Sequence, residues 1–200
     1  ELFHNFTLIH DDIMDKANLR RGAKTVHEKW DNNIAILSGD TMLVQSYSLL
    51  SDLELNIQAN VYKVFSDTAK QVCEGQQLDM DFEQIQELEI SEYIEMIKKK
   101  TSVLLAASFQ IGALIANASI EDTSLMYQFG LNIGIAFQLQ DDMLDLYGDQ
   151  SKFGKKTGGD IISNKKTYLF LKSLSLANSQ QEKKLIELFS KPTVNEDKKI

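Results

Sequence analysis

Apolar side chains return every three or four positions along most of this chain, the spacing of an α-helix that buries one face. Leu2, Phe3, Phe6, Ile9, Ile13 and Met14 form the first such run. They predict an amphipathic helix that runs into a group of aspartates. A basic turn follows at Leu19-Arg20-Arg21-Gly22-Ala23-Lys24. The pattern then predicts helices over about 28–50 and 58–84. Ser91 reads as the N-cap of the next helix, with Ile94 and Ile97 opening a periodic run that ends near Asn117. Residues 121–147 read as a long, very apolar helix carrying a second group of aspartates. Regularity is lost over 148–166, where Gly148, Gly154, Gly158 and Gly159 lie among basic and polar residues, as in a functional loop. Two shorter helices are expected before a polar tail from about Pro192. No solenoid-type repeat and no linker divides the sequence, so a single domain over 1–200 is expected.

Composition narrows the fold class. One Pro and 10 Gly among 200 residues leave few helix breakers, which points to an all-α fold. The chain is 43% hydrophobic and 25% charged, ordinary for a globular protein with a sizeable core. Its net charge of -8 disfavours nucleic acid as a partner. A phosphate-bearing ligand is still compatible, because acids and bases are unevenly placed. Cys73 is the single cysteine of the sequence, which precludes an intrachain disulfide and agrees with a cytoplasmic setting. No apolar run approaches the ~18 residues that cross a bilayer, and no signal peptide is visible.

The candidate chemistry lies in two DDxxD clusters, Asp11-Asp12-Ile13-Met14-Asp15 and Asp141-Asp142-Met143-Leu144-Asp145. On a helix the first and last aspartates of such a cluster stand about 40° apart, so all three share a face. Like charges at about 4 Å repel by ~1 kcal/mol even in water. A single cluster of this kind is as often a solvated acidic face. Two clusters, the second flanked by Ile133, Ile135, Ala136, Phe137 and Leu139, call for a counter-ion, since ionised carboxylates on a buried helix must face a wet or metal-filled space. A hard divalent cation shared between carboxylates and phosphate fits that need. Basic groups stand nearby in sequence: Arg20 and Arg21, whose forks suit phosphate, Lys98, Lys99 and Lys100, and Lys155, Lys156, Lys165 and Lys166 around the glycine loop.

These motifs, in this order and spacing, resemble the trans-polyprenyl diphosphate synthases of the farnesyl and geranylgeranyl type. The resemblance runs from Leu2 to about Tyr168. It includes Asp11-Asp12-x-x-Asp15, Arg20-Arg21-Gly22, Gly75-Gln76-x-x-Asp79, Lys100-Thr101 and Phe137-Gln138-x-x-Asp141-Asp142-x-x-Asp145. Phe153-Gly154-Lys155, Gly159-Asp160-Ile161 and Lys165 complete it. It implies an all-α, isoprenoid synthase-type helical bundle around a central active-site cavity. It also implies a short-chain prenyltransferase that condenses an allylic diphosphate with isopentenyl diphosphate, and a homodimer.

By the same resemblance, Asp11, Asp12, Asp15, Asp141, Asp142 and Asp145 hold Mg2+, three ions per site, with Mn2+ able to substitute. Arg20 contacts the allylic diphosphate, and Arg21 and His4 the isopentenyl diphosphate. Gln76 is assigned to substrate binding, as are Lys155 and Lys165, with Lys156 hard to separate from Lys155. Lys100 belongs beside the allylic diphosphate, and Thr101 and Gln138 near the developing allylic cation. Phe3, Phe6 and Thr7, upstream of the first cluster, are expected to set chain length at fifteen to twenty carbons, the missing two-residue insertion in that cluster agreeing with this. The family's usual helices before the first motif, with a Gly-Gly-Lys-x-Arg segment, have no counterpart here, and the terminal helices after Pro192 look shortened, so a fragment of a longer protein is expected. A terpene cyclase is the nearest alternative, with a squalene-type synthase less favoured. The second DDxxD and the Arg20-Arg21-Gly22 turn argue against both. A non-catalytic regulatory subunit is disfavoured because both aspartate motifs are intact.

Overall fold

The computed structural model describes residues 1–85, 87–148 and 158–189. By its internal contacts the chain divides into two compact units, Glu1–Phe65 and Ser66–Ile200. The described residues are almost wholly helical, as the scarcity of proline predicts.

In the first unit, α1 (Leu2–Met14) takes the expected span. The basic turn that follows is a small hairpin. β1 (Leu19–Arg20) and β2 (Ala23–Lys24) pair antiparallel, and the two-residue loop Arg21-Gly22 has φ of 53° and 78°. Two successive left-handed residues are the signature of the hairpin turn that matches strand twist, and glycine takes that conformation without strain. Alternation along the strand turns Arg20 inward and half-buries it, while Arg21 at the tip stays exposed.

The helix expected over 28–50 is interrupted. α2 (Val26–Lys29) stops, and α3 (Asn32–Ser48) starts afresh because Asp31 is its N-cap, accepting from the Ile34 N–H at 2.9 Å. A 3₁₀ turn (Leu49–Asp52) leads to α4 (Leu55–Gln84). Aromatic rings join these pieces edge-on, with Phe65 lying 5.2 Å from Phe3 and 4.9 Å from Tyr47 between ring centroids.

In the second unit, α5 (Ile90–Ile97) is capped at Glu89 rather than Ser91. The Glu92 carboxylate accepts from the Glu89 N–H at 2.8 Å, so the reciprocal box centres two residues earlier and Ser91 falls inside the first turn. α5 continues through a π-helical turn (Lys98–Ser102) into α6 (Val103–Ile115). α7 (Ile120–Tyr147) begins at Ser119, whose hydroxyl accepts from the Asp122 N–H at 3.0 Å. Of the glycine loop, the described part holds α8 (Gly159–Ile162). The two short C-terminal helices are α9 (Tyr168–Leu176) and α10 (Ser179–Phe189). The polar tail from Pro192 lies outside the described residues. Phe82, Tyr93, Met96, Ile97 and Leu171 form the core here, and the Lys166 ammonium closes the end of α4 by donating to the Phe82 carbonyl at 2.9 Å.

The π turn is gripped from two sides. A Cβ at Gly75 of α4 would come within 2.6 Å of the Lys100 Cα, and one at Gly134 of α7 within 2.7 Å of the Ser102 Cβ. Only glycine lets both helices approach so closely. Gly75→Ala is therefore expected to lower unfolding free energy by about 1–3 kcal/mol through overpacking. Gly112→Ala in α6, where nothing lies within 4 Å of the added carbon, should be neutral or stabilising by about 0.5–1 kcal/mol. Urea titration of the two variants checks the contrast.

Candidate active site

The first aspartate cluster closes α1. Asp12 is 4% exposed, and its charge is met by Arg20 from the hairpin. The Arg20 Nε donates to both Asp12 oxygens at 2.8 and 2.9 Å, and Nη2 donates to Asp11 at 3.2 Å. Burial alone would lower the Arg20 pKa. The hydrogen bond and charge of Asp12, with the charges of Asp11 and Asp15, outweigh it and raise the pKa, so the guanidinium is a fixed cation. Asp15 is exposed beyond the helix end. Upstream on the same helix, Phe3 and Phe6 are buried, Phe6 edge-on to His10 at 4.8 Å. The Thr7 hydroxyl donates to the His4 carbonyl at 2.8 Å, and His4 is half-buried one heptad before Asp11.

The second cluster closes α7. Asp142 is 5% exposed and takes its partners from neutral donors. The Tyr93 hydroxyl of α5 donates to its Oδ2 and the Gln138 amide to its Oδ1 at 3.2 Å. Burial pushes the Asp142 carboxyl above its usual range, against the pull of Tyr93, Gln138 and the Tyr168 backbone. Burial, and then the Asp142 charge, push the Tyr93 phenol far above its ordinary value, so it stays a donor. Asp141 is half-buried. Asp145 receives the Asp160 N–H at 3.1 Å from the start of α8.

The π turn aims two of the predicted side chains in opposite directions. Lys100 pairs with Asp79 of α4 at 2.6 Å, and the Thr101 hydroxyl donates to the Gln138 Oε1 at 3.0 Å. Each partner stands one helical turn beyond a gripping glycine: Gly75 before Asp79, and Gly134 before Gln138. Next to them Lys99 pairs with Glu74 at 3.0 Å. Gln76 carries a buried amide nitrogen with no hydrogen-bond partner among the described residues, a donor suited to an anionic ligand. Lys165 follows α8, with its N–H bonded to the Asp160 carbonyl at 2.9 Å. Lys155 and Lys156 lie outside the described residues.

Sequence reasoning left out Tyr93. A tyrosine on the apolar face of a predicted helix needs a partner for its hydroxyl, and that was the available signal. Asp79 was visible within its motif but not as the partner of Lys100.

The donor set in both clusters is carboxylate oxygen alone, which fits a hard divalent cation. Among the described residues no three His, Cys, Asp or Glu side chains converge to hold a metal by themselves. A magnesium ion here would complete its shell with water and phosphate oxygens, its common habit.

A helical frame with two aspartate-rich helix ends defines an all-α protein of the isoprenoid synthase class, and comparison with known proteins agrees. A sequence profile of the polyprenyl synthetase family matches residues 1–200, and the chain belongs to that family. It is 41% identical over 198 residues to a short chain isoprenyl diphosphate synthase of Methanocaldococcus jannaschii, covering 98% of this chain and 60% of that protein. It is 47% identical over 174 residues to a geranylgeranyl diphosphate synthase of Methanosarcina mazei, covering 86% of this chain and 53% of the relative. A crystal structure of geranylgeranyl pyrophosphate synthase superposes with a TM-score of 0.93 at 50% identity, over 98% of this chain and 60% of the other. The chain thus spans less than two thirds of the length of these relatives.

Removing the Arg20 guanidinium would leave Asp12 buried and uncompensated. Arg20→Met is expected to lower stability by about 3 kcal/mol, and Arg20→Lys to recover only part, because an ammonium cannot fork across both oxygens. Chemical denaturation of the two variants measures this.

Proposed function

We propose that this chain is the core of a cytoplasmic short-chain prenyltransferase, acting as a single domain that joins an allylic diphosphate to isopentenyl diphosphate. The observation that carries this is the Lys100-Thr101 turn: one position presents a cation and the next a hydroxyl whose proton is committed to Gln138. Prenyl transfer needs both, a cation for the leaving diphosphate and electron-rich oxygen near the allylic carbon.

In the proposed reaction the allylic C–O bond breaks with its electron pair passing to the diphosphate. The double bond of isopentenyl diphosphate forms the new C–C bond, and a proton leaves to the departed diphosphate. The product is longer by one isoprene unit. Asp11, Asp12, Asp15, Asp141, Asp142 and Asp145 would hold magnesium, three ions by analogy, or manganese. Bound there, the metal would neutralise charge on the leaving group. Arg20 and Arg21, with Lys165 and Gln76, would bind diphosphate oxygens, and His4 would assist at isopentenyl diphosphate. Lys100, held in place by its pair with Asp79, would present its ammonium charge to the leaving group. Gln138 holds the Thr101 hydroxyl so that its lone pairs face away from the amide. Apolar helix faces would keep water from the cation. A product of fifteen to twenty carbons is proposed; relatives named geranylgeranyl diphosphate synthase support its upper end, while others are named geranylfarnesyl diphosphate synthase. A homodimer is proposed by analogy, and it agrees with Leu37 and Val44 of α3 each being 65% exposed.

The full-length protein should turn over dimethylallyl, geranyl or farnesyl diphosphate with labelled isopentenyl diphosphate only when Mg2+ or Mn2+ is supplied. Asp11→Ala or Asp141→Ala should lower the rate by orders of magnitude with the fold intact by circular dichroism. Turnover in excess chelator, or a cyclic hydrocarbon product, would contradict the assignment.

The buried aromatics upstream of Asp11 give a second test. The growing chain would run back along α1, where Phe6 and then Phe3 stand one and two turns from the aspartates. Phe6→Ala should lengthen the product, and adding Phe3→Ala should lengthen it further, as sized by chromatography of the dephosphorylated products. An unchanged distribution in the double variant places the floor elsewhere.

A further inference from the structure

The geometry points to Tyr93 as a positioning residue for prenyl transfer, its hydroxyl holding the Asp142 carboxylate at the head of a hydrogen-bond chain that runs through Gln138 to the Thr101 hydroxyl. This inference rests on the proposed function. The ring of Tyr93 sits among Phe82, Met96, Ile97 and Leu171, a setting that phenylalanine would fill as well. Only the hydroxyl distinguishes it, and that hydroxyl reaches Asp142.

The chain has one sense. An ionised carboxylate only accepts hydrogen bonds, so Gln138 must turn its Nε2 toward the Asp142 Oδ1, 3.2 Å away. Its Oε1 then faces Thr101, whose hydroxyl must donate to it at 3.0 Å. The Thr101 lone pairs are thereby left to point elsewhere, toward where a developing cation would lie. Tyr93 occupies the other oxygen of the same carboxylate and stops it from rotating. This chain fixes two helices and the turn between α5 and α6 in register: α5 through Tyr93, α7 through Gln138 and Asp142, and the π turn through Thr101. Groups that orient a metal-binding carboxylate commonly change metal affinity or activity by about ten- to a hundredfold when lost.

The test uses the full-length protein and a double-mutant cycle at saturating metal. Tyr93→Phe is expected to lower kcat about tenfold with an unchanged KM for isopentenyl diphosphate. Thr101→Val should lower kcat as well, and the double variant should be no slower than the slower single one. Losses that multiply would overturn the proposal, because the two residues would then act separately. The activity-independent arm measures Mn2+ binding by electron paramagnetic resonance in the presence of inorganic diphosphate. Affinity should fall about tenfold in Tyr93→Phe and hold in Thr101→Val, and equal affinity in Tyr93→Phe and the parent would overturn the link to Asp142. If the parent protein forms no prenyl product, the proposed function fails while the Mn2+ arm still decides Tyr93. A Tyr93→Phe protein that does not fold would assign Tyr93 a structural role and overturn positioning. In that case the Gln138→Leu background tests the rest of the chain, where Thr101→Val should cost nothing further.

Discussion

The close approach of the α4 and α7 backbones to the π turn at Lys98–Ser102 organises the second unit. A π turn inserts a residue and rotates every side chain after it relative to a regular helix. Gly75 and Gly134 accept that wider turn because neither carries a Cβ to collide with it. The consequence is directional. Consecutive residues of the turn, Lys100 and Thr101, reach opposite neighbours, each finding its partner four positions beyond a glycine. Position along a helix thereby becomes chemistry, since the i, i+4 relation that puts Asp79 above Gly75 also puts Gln138 above Gly134 and Asp142 above Gln138.

The two buried carboxylates, Asp12 and Asp142, solve the same problem differently. A buried charge without partners is costly. Asp12 is met by a full opposite charge, the Arg20 fork, which the hairpin can deliver because its positive-φ turn sends Arg20 inward and Arg21 outward. Asp142 is met by Tyr93, Gln138 and the Tyr168 backbone, so its charge is hydrogen-bonded but not cancelled. That difference has a chemical meaning. A carboxylate already matched by arginine gains less from a further cation than one that holds its charge among neutral donors in a buried setting.

Much of this was legible in the sequence, for identifiable reasons. Helical periodicity located α1, α4 and α7, because long amphipathic runs carry many concordant positions. The misses are local competitions. Asp31 won a cap inside what read as one helix over 28–50, since a capping side chain satisfies orphan N–H groups that periodicity does not see. The Glu89–Glu92 pair displaced Ser91 as the cap of α5. The basic turn became a hairpin because Arg21-Gly22 accept left-handed backbone.

The sequence by itself determined the fold class, the family and the residue types of the site. The fold class follows from composition and periodicity, and the family from the likeness of its ordered motifs, all of them properties of the chain read along its length. Tertiary structure alone decided the pairings: Tyr93 with Asp142, Lys100 with Asp79, Arg20 with Asp12. Tyr93 and Asp142 are 49 residues apart. They meet only because α5 and α7 pack side by side, and the register of that packing is set by where glycines let backbones touch. No local pattern encodes a contact between helices, since its energy depends on two surfaces fitting at once.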